Sequence, residues 1–222
     1  MLFVVPTPIG NLEDMTLRAL RTLREVDLIL AEDTRQTKKL LDHFEIKKPL
    51  HAYHKFNEHK TVESIIQKIR GGIKMALVSD SGTPGISDPG HILIAQCIKE
   101  NITVQTLPGA TAFVPALVNS GFNTEEFLFI GFLPHKKGRQ TLLKKIALEQ
   151  RTQILYESPY RMVKLMEELK THLGEQRGIS VSREISKMFE ETVRGNAPEL
   201  LQHFTQKEPK GEFVVIISAQ EV

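Results

Sequence analysis

The 222-residue sequence has one cysteine, no tryptophan and three tyrosines. A lone Cys97 excludes an internal disulfide and any metal site built from several thiolates, and it suits a reducing compartment. An excess of one charge is missing too: 29 Lys and Arg stand against 27 Asp and Glu, for a formal net charge of +2. There is no basic tail, so charge alone does not announce a nucleic-acid partner. No apolar run approaches the roughly 20 residues that span a bilayer. The segment Met1 to Pro6 has no basic n-region and reaches proline too early for a signal peptide. The expectation is a cytoplasmic protein with no membrane partner. Internal repeats and low-complexity tracts are absent. So are a G-x-x-x-x-G-K-[ST] phosphate loop and a G-x-G-x-x-G after the first strand, which argues against an NTPase and an ordinary dinucleotide enzyme.

What is present reads as a globular chain. Hydrophobic residues make up 41% and charged residues 25%, enough to bury a core in one large domain or two small ones. In the first half, strands at Leu2 to Val5, Asp27 to Ala31, Lys74 to Ser79 and Thr103 to Leu107, with an extended piece at Leu50 to Tyr53, alternate with amphipathic helices. Those helices are expected at Thr16 to Glu25, Arg35 to Phe44, Thr61 to Arg70, Ile92 to Lys99 and Thr111 to Asn119. Turn formers at Ser120 to Thr124 place a domain boundary there, giving an N-terminal α/β domain at 1–121 and a C-terminal one at 122–222. In the second half, strands at Phe127 to Leu133, Gln153 to Tyr156, Ile179 to Arg183, Met188 to Arg194 and Glu212 to Ser218 are interleaved with helices near Gln140 to Gln150, Arg161 to His172 and Pro198 to Phe204. Only Glu184 to Lys187 separates two of these strands. That spacing suggests a hairpin, so a mostly parallel first sheet is paired with a mixed second one.

The loops that leave the first-half strands are rich in glycine and proline: Pro6-Thr7-Pro8-Ile9-Gly10-Asn11, Ser79 through Gly90, and Pro108-Gly109-Ala110-Thr111-Ala112. In open α/β sheets ligands collect at these strand ends. Glycine lets the main chain approach a ligand, and proline holds a loop in one shape. Three such loops at neighbouring strand ends make a stiff, narrow groove better suited to a nucleoside with a small charged group than to a polyphosphate.

Together with Ala31-Glu32-Asp33-Thr34-Arg35, Tyr53-His54 with Asn57-Glu58, Tyr156-Glu157-Ser158-Pro159-Tyr160-Arg161, Arg183 to Lys187 and Gly211-Glu212-Phe213, these segments resemble the tetrapyrrole methylase superfamily. Within it they are similar to the bacterial group that methylates ribosomal RNA. The resemblance runs nearly end to end. It implies two α/β domains with S-adenosylmethionine in the cleft between them, no metal, a homodimer, and 2′-O-methylation of a cytidine in small-subunit (16S) ribosomal RNA. By position it implies cofactor contacts from Pro8, Ile9, Gly10, Ser79, Thr83, Pro84, Ile86, Thr111, Ala112, Tyr156 and Glu157, with Gly211, Glu212 and Phe213 closing the pocket. Gly82-Thr83-Pro84 stands where corrin-forming members carry Gly-Asp-Pro. Tyr160 stands where the ribosomal-RNA group usually carries histidine, and Lys55-Phe56 interrupt a stretch that is usually His-rich and acidic. Many relatives carry a carboxy-terminal extension beyond the equivalent of Val222, so no RNA grip from such an extension is expected here.

Methyl transfer is an in-line displacement in which positioning contributes most, and a general base adds roughly 10²- to 10⁴-fold for a hydroxyl nucleophile. Glu32, Asp33, Glu184 and Glu212 are the candidate bases, with Arg35, Arg183 and Lys187 available to orient phosphate or stabilise a developing alkoxide. Glu32, Asp33, Arg35 and Glu184 are the catalytic candidates, the first three ranked highest because they follow an apolar strand on the glycine-loop rim. The plainer reading has Asp33 capping a helix and Arg35 pairing with Glu32. Lys136, Lys137, Arg139, Lys144 and Lys145 are candidates for RNA phosphates, and Tyr53, Phe56 or Tyr160 for stacking on a base. The competing functions are a small-molecule or tetrapyrrole methyltransferase and a non-enzymatic factor that binds S-adenosylmethionine or RNA.

Overall fold

The computed structural model describes residues 1–220. The chain forms two compact units, Met1–Thr111 and Ala112–Val222, and the end of the second expected domain, Val222, lies outside the described residues. Each unit is built on one sheet of five strands.

In the first unit all strands run parallel: β1 (Leu2–Val4), β2 (Leu28–Ala31), β3 (Leu50–Ala52), β4 (Met75–Val78) and β5 (Val104–Thr106), in the order β3-β2-β4-β1-β5. Helices α1 (Leu17–Glu25) and α2 (Thr34–His43) cover one face. There Ala19, Leu23 and Leu41 pack on Ile29, Ala31, Ala76 and Val78. Helices α3 (Glu58–Arg70) and α4 (His91–Lys99) cover the other, where Ile65, Ile66, Leu93 and Cys97 pack on Leu2, Leu30, Met75 and Leu77. The alternation along β2 and β4 divides their side chains between two buried layers, which is why these strands read as continuous apolar runs. Strands β1 and β4 are neighbours, yet α1 and α4 depart from them to opposite faces. Their carboxyl ends therefore form the topological switch point, where open α/β sheets leave a crevice.

Helix α3 begins three residues before the expected Thr61. Asn57 anchors that turn, accepting from the His54 amide at 2.8 Å and donating to the Ala52 carbonyl at 2.9 Å. The segment from Asn57 to Lys60 carries no apolar residue, so hydrophobic periodicity is blind to it.

The second unit holds α5 (Phe113–Ser120), β6 (Phe127–Phe132), α6 (Arg139–Leu148), β7 (Thr152–Glu157), α7 (Met162–Leu173), β8 (Ile179–Arg183), β9 (Glu191–Gly195), α8 (Ala197–Gln206) and β10 (Phe213–Ile217). The sheet order is β6-β7-β10-β8-β9, with β6 and β7 parallel and the other pairs antiparallel, so the mixed sheet expected from the sequence is present. Side chains of α6, α7 and α8, among them Leu143, Met166 and Phe204, share one core with Leu155, Val181, Val215 and Ile217. Packing divides the chain at Thr111 and Ala112, earlier than the turn-rich segment near 121, because α5 packs against β8, β9 and β10. Gly121, in the left-handed region at φ 76°, ends that helix without ending the unit.

The hairpin strand begins at Glu191 rather than Met188. Glu184 and Ser186 take positive φ (50° and 67°), which breaks the extended run and widens the connection to residues 184–190. Among the described residues no helix is long and apolar enough to cross a membrane.

Candidate functional site

At the switch point of the first unit, the loops after β1, β4 and β5 are joined to one another. Thr7 and Gly82 exchange backbone hydrogen bonds of 2.9 and 3.0 Å in an isolated antiparallel bridge. The Thr7 hydroxyl donates to the Ser79 carbonyl at 3.1 Å, and the Ser79 hydroxyl donates to the Gly82 carbonyl at 3.2 Å. Thr83 Oγ1 then donates to the Ala110 carbonyl at 3.0 Å. Two glycines make this closeness possible. A Cβ on Gly109 would lie 2.6 Å from Cβ of Pro6, and one on Gly90, at φ 143°, would lie 3.0 Å from Leu77. Pro8, Ile9, Gly10, Ser79, Thr83, Pro84 and Ile86 are thereby held on one rim. Ser79 and Pro84 are buried, Pro8, Ile9, Thr83 and Ile86 partly so, and Gly10 is exposed. The rim offers partly covered apolar surface and main-chain polar groups, with no lysine or arginine among those seven residues. That composition suits a nucleoside better than a polyphosphate. Thr111 closes the first unit and Ala112 opens the second.

Next along the rim, past β4, stand the charged residues. Asp33 caps α2: its carboxylate accepts from the Arg35 amide at 2.8 Å and from the Arg35 guanidinium at 3.0 and 2.6 Å. These bonds hold the Asp33 carboxyl at about 2. Capping is thus as the plainer reading has it, but Arg35 pairs with Asp33 and not with Glu32. Glu32 has other neighbours. Burial raises its carboxyl above the ordinary carboxylate range and the charge of Asp80 raises it further, while a hydrogen bond from the Asp80 amide and the proximity of His54 act in the opposite sense. Asp80 in turn accepts from the Asp33 amide at 3.0 Å, and its own carboxyl is raised by burial and by the charge of Asp33. Sequence reasoning does not single out Asp80. The signal open to it is a lone carboxylate in a Gly/Pro loop directly after a fully apolar strand.

In the second unit the strand register gathers the remaining candidates at one sheet end. Phe213 lies beside Glu157 on one side and Arg183 on the other, so the segment Gly211 to Phe213 meets the ends of β7 and β8. Glu184 Oε1 accepts from the Glu212 amide and from Lys187 Nζ, both at 3.0 Å, and Lys187 also bonds Glu212 Oε2 at 2.9 Å. Burial pushes the Glu184 carboxyl up, but Lys187 and the Glu212 amide outweigh it and hold the group below its ordinary value. A Cβ on Gly211, at φ 95°, would lie 2.5 Å from Glu184, so this clasp requires glycine. Tyr156 lies edge-on to Phe129 and Phe132.

Several side chains do not stand where the motifs suggest. Phe213 is buried in the core against Phe204, and Glu157, 2% exposed, is enclosed by arginines. Arg161 approaches Glu157 to 2.5 Å, and Arg139 lies 3.6 Å from it and 2.7 Å from Glu168. Only their main chain is left to face a ligand. Arg139, 3% exposed, is withdrawn from any RNA phosphate, and Tyr53, fully buried, from any base. Phe56 and Tyr160 are exposed, as are Lys136, Lys137, Lys144 and Lys145.

Residues 1–201 match the family of tetrapyrrole (corrin/porphyrin) methylases. The chain is 49% identical over 219 residues to "Ribosomal RNA small subunit methyltransferase I" of Synechocystis sp., covering 98% of this chain and 78% of that protein. It is 45% identical over 220 residues to the protein of the same name in Thermotoga maritima, covering 99% of each. Among solved structures, it superposes on uroporphyrin-III C-methyl transferase from Thermus thermophilus, complexed with S-adenyl homocysteine, with a TM-score of 0.67 at 18% identity, covering 98% of this chain and 96% of that one.

Proposed function

The chain belongs to the tetrapyrrole methylase family, and from that premise we propose that it transfers the methyl group of S-adenosylmethionine to small-subunit ribosomal RNA. The observation that carries this reading is the 45–49% identity to ribosomal RNA methyltransferases over almost the whole chain. Likeness to the uroporphyrin enzyme, at 18% identity, supports the fold. The methyl acceptor is the 2′-hydroxyl of a cytidine. The protein acts in the cytoplasm as a homodimer.

The switch-point rim is the cofactor cradle. Its fit rests on loops fastened by Thr7, Ser79 and Thr83 and on a Gly109 position where a Cβ would strike Pro6. When bound, S-adenosylmethionine supplies a methyl group on a sulfonium that is already a good leaving group. The chain's own residues place the acceptor oxygen, exclude water and remove a proton. Pro8, Ile9, Gly10, Ser79, Thr83, Pro84, Ile86, Thr111 and Ala112 hold the donor. The main chain of Tyr156, Glu157 and Gly211 to Phe213 contributes from the second unit.

Glu32 is the base. Its carboxyl is raised toward neutral pH, where a base that must also release its proton works best. Asp33, held at about 2 by Arg35, is a poor proton acceptor that fixes the start of α2. Arg35, with 85% of its side chain exposed, meets an RNA phosphate. Glu184 shapes the rim through Lys187 and Glu212.

The experiment supplies labelled S-adenosylmethionine with either small ribosomal subunits or a tetrapyrrole, then maps the modified nucleotide by mass. Label is expected in ribosomal RNA on a cytidine ribose. Label in the tetrapyrrole alone refutes the reading.

A further inference from the structure

Strands β3, β2 and β4 lie side by side, and the residues that leave their carboxyl ends are His54, Glu32 and Asp80. Register brings them level: Ala31 lies opposite both Ala52 and Val78, and the Tyr53 amide donates to the Ala31 carbonyl at 2.8 Å. Glu32 therefore sits between a histidine and an aspartate. The Asp80 amide donates to the Glu32 carboxylate while the Asp80 carboxylate accepts from the next amide, that of Asp33. These two bonds clamp the Glu32-Asp33 pair onto the β4 loop. On the other side His54 is held by its own amide, which donates to Asn57 Oδ1 at 2.8 Å. Its ring is partly exposed, yet Nδ1 is buried with no hydrogen-bond partner. A buried ring nitrogen without a partner is costly and unusual, and beside a carboxylate it has an evident use. It can take a proton.

We propose that Glu32, His54 and Asp80 act as one acid–base unit in which Glu32 accepts the proton of the substrate hydroxyl, His54 Nδ1 takes it on, and Asp80 positions Glu32. The inference rests on the reading of this rim as the site of ribose methylation. The hydroxyl proton passes to a Glu32 oxygen as the O–CH₃ bond forms and the C–S bond breaks, its electron pair staying on sulfur. The protonated Glu32 then passes the proton to neutral His54 at Nδ1, and the imidazolium loses one from Nε2 to water. Glu32 returns as a carboxylate, and one proton is released per methyl group. The titratable or charged groups around Glu32 are Asp80 on the β4 loop, His54 on the β3 loop, and Asp33 and Arg35 at the start of α2; Glu58 and His59 follow His54 at the start of α3.

The test follows methyl incorporation into ribosomal RNA by the full chain across a wide pH range. Activity rises with pH as Glu32 ionises. Asp80→Asn removes a like charge beside Glu32, so the acid limb should move to lower pH by about one unit; an unmoved limb overturns the role of Asp80. Asp80→Ser, which keeps the amide, serves if the asparagine variant does not fold. His54→Ala should lower kcat by roughly 10²-fold, and added imidazole should restore part of it. A loss confined to KM, or a loss in kcat that imidazole leaves untouched, overturns the relay. A merely structural role for either residue would lower the folded fraction without moving the limb or allowing rescue. Failure of the underlying reading looks different: the unaltered protein then labels no ribosomal RNA at any pH, and the unit falls with it.

Discussion

Replacing Arg139 by methionine should destabilise the protein and leave the intrinsic affinity of the folded fraction for RNA nearly unchanged. Arg139 is 3% exposed and its guanidinium is fully engaged in the second unit. It bonds Glu168 at 2.8 and 3.1 Å, donates to the Pro134 carbonyl at 3.2 Å, and lies 3.6 Å from Glu157. Removing one partner of a buried ion pair costs about 3–5 kcal/mol, chiefly because the opposite charge stays behind unpaired. Two features favour the lower end here. Glu157 keeps Arg161 at 2.5 Å and the Ser158 amide at 2.8 Å, and Glu168 is 12% exposed and can rehydrate. A loss of about 3 kcal/mol corresponds to a melting temperature lower by roughly 6–12 °C for a chain of this length. Urea unfolding measures the loss directly. A cycle with Glu168→Met should return a coupling of about 1.5 kcal/mol or more, because the double variant removes the stranded carboxylate. Stability within about 0.5 kcal/mol of the unaltered protein, coupled with weakened RNA binding, would refute the reasoning by showing that the guanidinium serves phosphate.

Other outcomes follow from the same geometry. Gly109→Ala forces a methyl group onto Pro6 and should cost about 1–3 kcal/mol, as overpacking does, with weaker S-adenosylhomocysteine binding by calorimetry. Glu32→Gln should lower kcat by roughly 10²-fold or more with donor binding retained; unchanged turnover would remove Glu32 from the chemistry. The cap formed by Asp33 has a carboxyl lowered from 3.8 to about 2, so its contribution is present above the unfolded value and lost as pH falls through about 2. Hydrogen exchange at the first turn of α2 should stay protected at pH 4 and open toward pH 2. Neutralising Lys136, Lys137, Lys144 and Lys145 should flatten the salt dependence of RNA binding by about 0.7 in slope for each phosphate that is no longer neutralised; an unaltered slope moves the RNA to another face.

Much of this architecture is written in local pattern. Strands β4 and β10 are buried at every position, and a strand covered on both faces appears in sequence as an uninterrupted apolar run. The Gly/Pro loops are legible for a similar reason, since the turns and close approaches they make need those residues. The start of β9 is hidden because Glu184 and Ser186 adopt positive φ without being glycine. The placement of α5 is decided by packing on β8 and β10, which no turn former announces. At the site, motif order names Glu32, Asp33 and Arg35, but which carboxylate is spent on the helix start depends on side-chain direction. Bringing His54 and Asp80 to either side of Glu32 needs the strand order β3-β2-β4, and that is a property of the whole sheet. Phe213, Glu157 and Tyr53 carry motif positions whose side chains serve the interior.

The fastened loops also fix when the cradle can exist. Strand β1 leaves the ribosome first, yet its sheet neighbours are Met75–Val78 and Val104–Thr106, and the tie from Thr83 waits for Ala110. Until then the opening strand has no neighbour on either edge, and the loop that follows it has nothing to be fastened to. The donor site therefore arises in one step near the end of the first unit's synthesis. A nascent chain paused before residue 110 holds helices and strands but no place for a nucleoside, so the ability to bind one doubles as a check that the unit has closed.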